Sequence, residues 1–162
     1  MRFNTHNQPD SFTSSDDAEA RRRHESYLTQ YFQWLDTASP SGREARRITV
    51  IARSPASPVV AAMRALGEEL GSRQITLRAV FCDVDPERAL RSAWKIIAAL
   101  SRDDDHGDLV RWNADSGMLE AHEQMILGRR MCWTGDAMRR IPGRRDGFDL
   151  FETDAPDIRR LG

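Results

Sequence analysis

The stretch from residue 46 to residue 83, RRITVIARSPASPVVAAMRALGEELGSRQITLRAVFCD, decides the fold. Ile48–Ala52 is a short apolar run that predicts a buried strand, and Ile75–Cys82 predicts a second one. Between them, Pro55–Leu70 carries apolar residues at the three-to-four spacing of a helix, and Gly71 closes it. A strand, a helix and a strand in this order predict an α/β unit.

The chain on the C-terminal side extends this unit with a helix and then a series of strands. The predicted elements are the helix Pro86–Leu100, the strand Leu109–Trp112, a hairpin-like pair Met118–Leu127 and Met131–Thr134, and a last strand Phe148–Glu152. The order of these elements predicts an α/β domain with a mixed β-sheet flanked by helices. We expect this domain to span residues 45–155, with a polar tail at 156–162.

The N-terminal side, residues 1–44, predicts a flexible lead-in followed by one helix. Residues 1–15 are polar and contain a proline. Ser15, Asp16 and Asp17 are typical of the start of a helix, which apolar residues at helical spacing continue to about Asp36. We expect an N-terminal helical arm that packs on the main domain or on a second chain.

Composition limits the class of protein. The chain has 162 residues, of which 40% are hydrophobic and 30% charged, and this balance is typical of a globular domain with a core. There is no apolar run near the roughly 20 residues that span a bilayer, nor the apolar segment of a secretory signal, so we expect a cytoplasmic protein without membrane association. Cys82 and Cys132 each lie in an apolar run, which predicts buried, reduced thiols.

Residues 121–140, AHEQMILGRRMCWTGDAMRR, contain the candidate for chemistry, His122. An isolated histidine on a strand is usually a structural residue, so its surroundings decide the interpretation. With RRITVIARSP, VVAAMRALGEEL and ITLRAVFCD before it, this stretch resembles a half-domain of the phospholipase D superfamily over roughly residues 46–153. His122 matches the histidine of that family's His-x-Lys strand, and Gly135 matches the glycine of its Gly-Ser-x-Asn segment.

Several positions depart from the family pattern. Gln124 replaces the lysine, and Asp136 and Met138 stand where the family has serine and asparagine. In that family two histidines from paired half-sites act on the phosphorus while lysines hold the phosphate oxygens. Glutamine carries no charge, and losing charge stabilisation costs a few kcal/mol in the transition state. The resemblance therefore implies a phospholipase D-like fold with a degenerate catalytic site.

An arginine-rich run, residues 129–145, offers a substitute for the missing lysine. Arginine forks suit phosphate groups, so Arg129, Arg130, Arg139 and Arg140 join Gln124 as candidate ligand-binding residues. The alternative is an ordinary solvated face with arginine–carboxylate pairs. Aromatic residues for base stacking are few in this region, and the net charge of −1 creates no field for nucleic acid, so a nucleic-acid ligand has little support.

Three functional hypotheses remain open. The first is a catalytically degenerate binding or scaffold module of a bacterial cytoplasm, forming a homodimer because the family pairs two halves. The second is a divergent, metal-independent phosphodiesterase or nuclease in which His122 of two chains meets across a dimer interface. The third is an unrelated α/β regulatory domain. The aspartates of the sequence have no ordered metal-ligand spacing and there is no glycine-rich phosphate loop, so we expect neither a metal nor a cofactor.

Overall fold

The computed structural model describes residues 11–82, 109–112, 116–138 and 148–153. These residues form three α-helices, two short 3₁₀ segments and six strands. The helices are α1 (Ser11–Ala38), α2 (Pro58–Ala65) and α3 (Gly67–Ser72), and the 3₁₀ segments are Arg43–Arg46 and Ser116–Glu120. The strands are β1 (Arg47–Ala52), β2 (Thr76–Phe81), β3 (Leu109–Trp112), β4 (His122–Leu127), β5 (Met131–Ala137) and β6 (Leu150–Glu152).

The strands build one mixed sheet in the order β3-β2-β1-β4-β5-β6. β1, β2 and β3 run parallel, whereas β4 pairs antiparallel with β1, and β5 and β6 continue antiparallel from there. Val50 lies at the centre, with Ala79 as its partner on β2 and Met125 on β4. The prediction of a mixed α/β sheet with an N-terminal helix is confirmed, and its phospholipase D-like character stays a prediction.

Alternation along the strands separates a core face from an open face. In β1, Ile48, Val50 and Ala52 are buried, and in β4, Met125 and Leu127 are buried on the same side. Side chains of a strand point to opposite faces in turn, so the residues between them form the second face. That face, which includes Gln124 and Ile126 of β4, is half-buried.

Helix α1 belongs to the same core as the sheet. Its buried residues Leu28, Tyr31, Phe32 and Leu35 cluster with the buried residues of β1 and α2, so the helix packs on its own domain. It begins at Ser11, before the predicted cap at Ser15, and it ends at Ala38. The sequence between these ends contains neither proline nor glycine, so nothing in it interrupts the helix.

Local turn chemistry explains the differences from the predicted elements. The single helix predicted over residues 55–70 begins only at Pro58 and is divided at Leu66, where ψ is 25° and Gly67 follows. Residues 54–57 form a turn closed by the Ser57 amide donating to the Ser54 carbonyl. The segment before His122, predicted as strand, is the 3₁₀ segment Ser116–Glu120. The helix predicted over residues 86–100 lies outside the described residues.

Candidate functional site

His122 lies at the first position of β4, beside the end of β1, and its side chain is exposed. Its Nδ1 atom is 2.6 Å from the carbonyl oxygen of Gly135. A carbonyl oxygen only accepts a hydrogen bond, so Nδ1 carries the proton, and in the neutral ring Nε2 keeps its lone pair. The neutral ring therefore has one fixed tautomer, in which Nε2 is the unprotonated nitrogen.

A bulge in β5 places the Gly135 carbonyl under His122. His122 pairs with Ala137 while Gln124 pairs with Thr134, so β5 contains one extra residue between these two pairs. A Cβ atom on Gly135 would lie 2.2 Å from the Trp133 ring, so this position accepts only glycine. The glycine that resembled a family motif in the sequence thus has a direct structural role in orienting the histidine.

Among the described residues, Phe148 lies beside the histidine and Asp136 holds Phe148 in place. The Phe148 ring lies 5.2 Å from the His122 ring, and 44% of this phenylalanine is exposed. Asp136 accepts a hydrogen bond of 2.8 Å from the Phe148 backbone amide. The Asp136 carboxylate, which stands where the phospholipase D family has serine, therefore holds the segment that carries Phe148.

Glu123 fixes the start of β4 from the core side. It is only 2% exposed, and its Oε1 atom accepts hydrogen bonds from the Ser57 hydroxyl, at 2.8 Å, and from the Arg53 backbone amide, at 3.2 Å. Ser57 is the N-cap residue of α2. Acidic groups are stabilised at helix N-termini, where many α/β proteins bind an external phosphate. Here the protein's own carboxyl group contacts the N-cap residue of α2 through the Ser57 hydroxyl.

Arg53 is a site residue that the sequence analysis missed. It follows β1 directly, and extending the β1–β4 register from the Ile51–Gln124 pair by two residues places it opposite His122. It is half-buried, and within the part of the chain that is described its side chain makes no ion pair. Its position in the sequence was a usable signal, because Arg53 follows a predicted strand and ligands of α/β sheets bind beyond the carboxyl ends of the parallel strands.

The other predicted ligand-binding residues divide into three groups. Gln124 lies on the same face of β4 as His122 and is half-buried. Arg129 and Arg130 lie in the β4–β5 turn, at the far end of the hairpin, and β4 separates that turn from His122 by about 17 Å. Arg129 forms an ion pair there with Glu44. Arg139 and Arg140 lie outside the described residues.

The two thiols are placed in poor environments for nucleophilic chemistry. Both cysteines are free, Cys82 is buried, and Cys132 is half-buried. Burial raises the pKa of the Cys82 thiol, and the nearby Glu123 carboxyl raises it further. Burial also raises the pKa of the Cys132 thiol. Because the thiolate is the reactive form, neither cysteine is activated at neutral pH.

Residues 11–82, 109–112, 116–138 and 148–153 contain no group of three or more histidine, cysteine or acidic side chains arranged to hold a metal ion. None of the helices in those ranges combines the length and the apolar character that a bilayer crossing requires.

Comparison with known proteins found no matching family model, no matching curated protein and no matching solved structure.

Proposed function

We propose that this protein binds a phosphate-containing ligand at the end of the sheet where Arg53 lies opposite His122 in the extended β1–β4 register, and that it does not hydrolyse it. The observation that carries the proposal is the hydrogen bond from Nδ1 of the exposed His122 to the Gly135 carbonyl, which leaves Nε2 as the ring nitrogen available to a ligand. In the neutral ring Nε2 accepts the proton of a phosphate monoanion, and in the imidazolium it donates to a phosphate oxygen. The guanidinium of Arg53 supplies the positive charge.

The charges around His122 favour binding over catalysis. Phosphoryl transfer needs several cationic or hydrogen-bonding groups aimed at the oxygens that gain charge in the transition state. Gln124 is neutral, and Arg129 and Arg130 lie at the other end of the hairpin. Loss of one such stabilising donor typically costs about 10²–10³-fold in rate. One arginine beside one histidine therefore supports recognition of a phosphate better than its cleavage.

Isothermal titration calorimetry with inorganic phosphate and with bis(p-nitrophenyl) phosphate tests this proposal. We expect His122→Ala and Arg53→Ala each to weaken binding by about tenfold, the loss of one charge-assisted hydrogen bond. Arg64→Ala is the matched control, since it removes an exposed arginine of α2 away from the site and should leave binding unchanged. Binding that is absent, or unaffected by both site variants, would refute the assignment and favour an unrelated regulatory domain.

A phosphodiesterase acting as a homodimer is a second candidate, and the fixed tautomer favours it. An outward Nε2 lone pair is the form in which a histidine attacks phosphorus. Two copies would then have to bring two His122 side chains to one phosphate, as the resemblance to phospholipase D implies. Metal-independent hydrolysis of bis(p-nitrophenyl) phosphate in EDTA, lost in His122→Ala and accompanied by a dimer mass in light scattering, would support this candidate instead.

A further inference from the structure

A cleft lies at the end of the β4–β5 hairpin that is farther from His122. There, the segment after α1 and the β4–β5 turn enclose a cleft of about 400 Å³. This volume lies within the range of roughly 300–1,000 Å³ that is typical of small-molecule sites. The residues that line this cleft come from three segments: Trp34, then Pro40, Ser41, Gly42, Arg43, Glu44 and Ala45, and finally Arg129 and Arg130.

Two hydrogen bonds hold the walls of the cleft in place. The Tyr31 hydroxyl donates to the Ala45 carbonyl at 2.5 Å, which ties α1 to the 3₁₀ segment that follows it. The Gly128 amide donates to the Arg47 carbonyl at 2.8 Å, which ties the β4–β5 turn to the start of β1. Gly128 adopts a φ of +61°, and a Cβ atom there would lie 2.9 Å from the Ala45 carbonyl oxygen. Only glycine lets the two walls approach this closely.

The lining of the cleft combines an aromatic surface with positive charge. Trp34 is half-buried and lies at 20° to the Tyr31 ring, with 6.1 Å between the ring centroids, so its orientation is set by packing. Arg43, Arg129 and Arg130 line the cleft together with a single acid, Glu44. Arg129 pairs with Glu44, and Arg43 adds a further positive charge, so the lining favours an anion.

The ion pair between Arg129 and Glu44 does not close the cleft against a ligand. The side chains of both residues are more than half exposed, at 60% and 51%. Exposed ion pairs contribute little to stability because water and salt screen them. A phosphate, which carries more charge than one carboxylate and matches the arginine fork, therefore competes with Glu44 for Arg129.

We propose that this cleft binds a nucleotide, with the base against Trp34 and the phosphate on Arg43 and Arg129. Stacking on an aromatic ring tolerates any base because every base has a flat face. Ligands that carry only one of the two groups, a free nucleoside or a sugar phosphate, bind more weakly than the nucleotide. This site is separate from the one at His122, so either assignment can fail without the other.

Calorimetric titration with AMP, GMP, CMP and UMP, and with adenosine and ribose 5-phosphate, tests the proposal on the full chain. We expect at least one nucleotide to bind more tightly than about 1 mM, and Arg43→Ala combined with Arg129→Ala to weaken it by tenfold or more. Trp34→Leu keeps an apolar side chain at the edge of the core but removes the stacking surface, and it should weaken the nucleotide more than ribose 5-phosphate. Arg64→Ala again serves as the control.

Glu44→Gln distinguishes the loss of a ligand contact from the loss of the folded cleft. It removes the one acid of the lining and frees Arg129, so nucleotide should bind severalfold more tightly, a gain that partial unfolding does not produce. In His122→Ala and Arg53→Ala, which weaken phosphate binding at the other site, nucleotide should still bind in the cleft with unchanged affinity. The proposal is overturned if none of the nucleotides binds, or if their binding is lost in His122→Ala and retained in the double arginine variant.

Discussion

Replacing Glu123 with alanine tests how the candidate site is held in place. The carboxyl oxygen Oε1 accepts hydrogen bonds from the Ser57 hydroxyl and from the Arg53 backbone amide, and it is buried between β4, the end of β1 and the start of α2. Glu123→Ala removes the acceptor from both donors at once. The same change releases the residue adjacent to His122, so we expect it to affect both stability and the histidine.

The expected loss of stability in Glu123→Ala follows from the two hydrogen bonds that the substitution removes. A buried donor left without an acceptor costs about 1–3 kcal/mol. Ser57 is 5% exposed and so falls toward the upper part of that range, whereas half-buried Arg53 falls toward the lower part because water reaches it. The sum is about 3 kcal/mol, which lowers the melting temperature of a domain of this size by about 6–12 °C. Ser57→Ala, which removes one donor with its bond, should cost about 1 kcal/mol.

Urea unfolding followed by circular dichroism measures these differences, with Glu123→Gln as the matched control. Glutamine has nearly the same shape and keeps a side-chain oxygen that can accept both bonds, so it should cost less than about 1 kcal/mol. The double variant Glu123→Ala/Ser57→Ala should lose less stability than the sum of the losses in the two single variants, because the two residues share a hydrogen bond. Equal destabilisation by alanine and glutamine, or no destabilisation by alanine, would refute the reasoning.

Two further predictions concern the β4–β5 turn and the thiols. Gly128→Ala should destabilise the protein by roughly 1–3 kcal/mol in urea unfolding, because φ is +61° and the new Cβ would meet the Ala45 carbonyl. Gly42→Ala is the control: this glycine also has a positive φ but open space around it, so the substitution should cost less stability. Iodoacetamide at pH 8 should label Cys82 and Cys132 only after unfolding, since burial raises the pKa of both thiols above their ordinary value of 9.0. For the same reason, the contribution of the two thiols to stability is complete below pH 9.0. It declines above that pH because the unfolded chain loses its thiol protons before the folded chain does. A free energy of unfolding that increases from pH 9 to pH 10 would contradict this prediction.

The fold class could be predicted because hydrophobic periodicity is a local signal. The alternation in β1 and the three-to-four spacing in α1 and α2 mark the elements within a few residues. The positions at which helices and strands end depend on turn conformations, which hydrophobic periodicity does not indicate. Leu66 interrupts a segment whose apolar pattern continues to Leu70, and a 3₁₀ turn replaces the predicted strand residues at Met118.

The candidate site could be predicted only in part, because its members come from different elements. His122 was found from its own stretch, but its hydrogen bond to Gly135 depends on a bulge that a sequence pattern does not show. Arg53 lies near His122 only through the β1–β4 pairing, which joins residues far apart in the chain. The arginines of the β4–β5 turn are close to His122 in sequence, yet an extended strand carries them away from it.

The central claim, that His122 presents an unprotonated Nε2 to a phosphate, is tested most directly by nitrogen-15 NMR of the imidazole rings during a titration with inorganic phosphate. We expect the neutral ring of His122, assigned by comparison with His122→Ala, to show a protonated Nδ1 and an unprotonated Nε2. Phosphate should shift the Nε2 resonance in the native protein, and in Arg53→Ala the same shift should need about tenfold more phosphate. A ring protonated at Nε2 in its neutral form, or an Nε2 resonance that phosphate leaves unchanged, would contradict it.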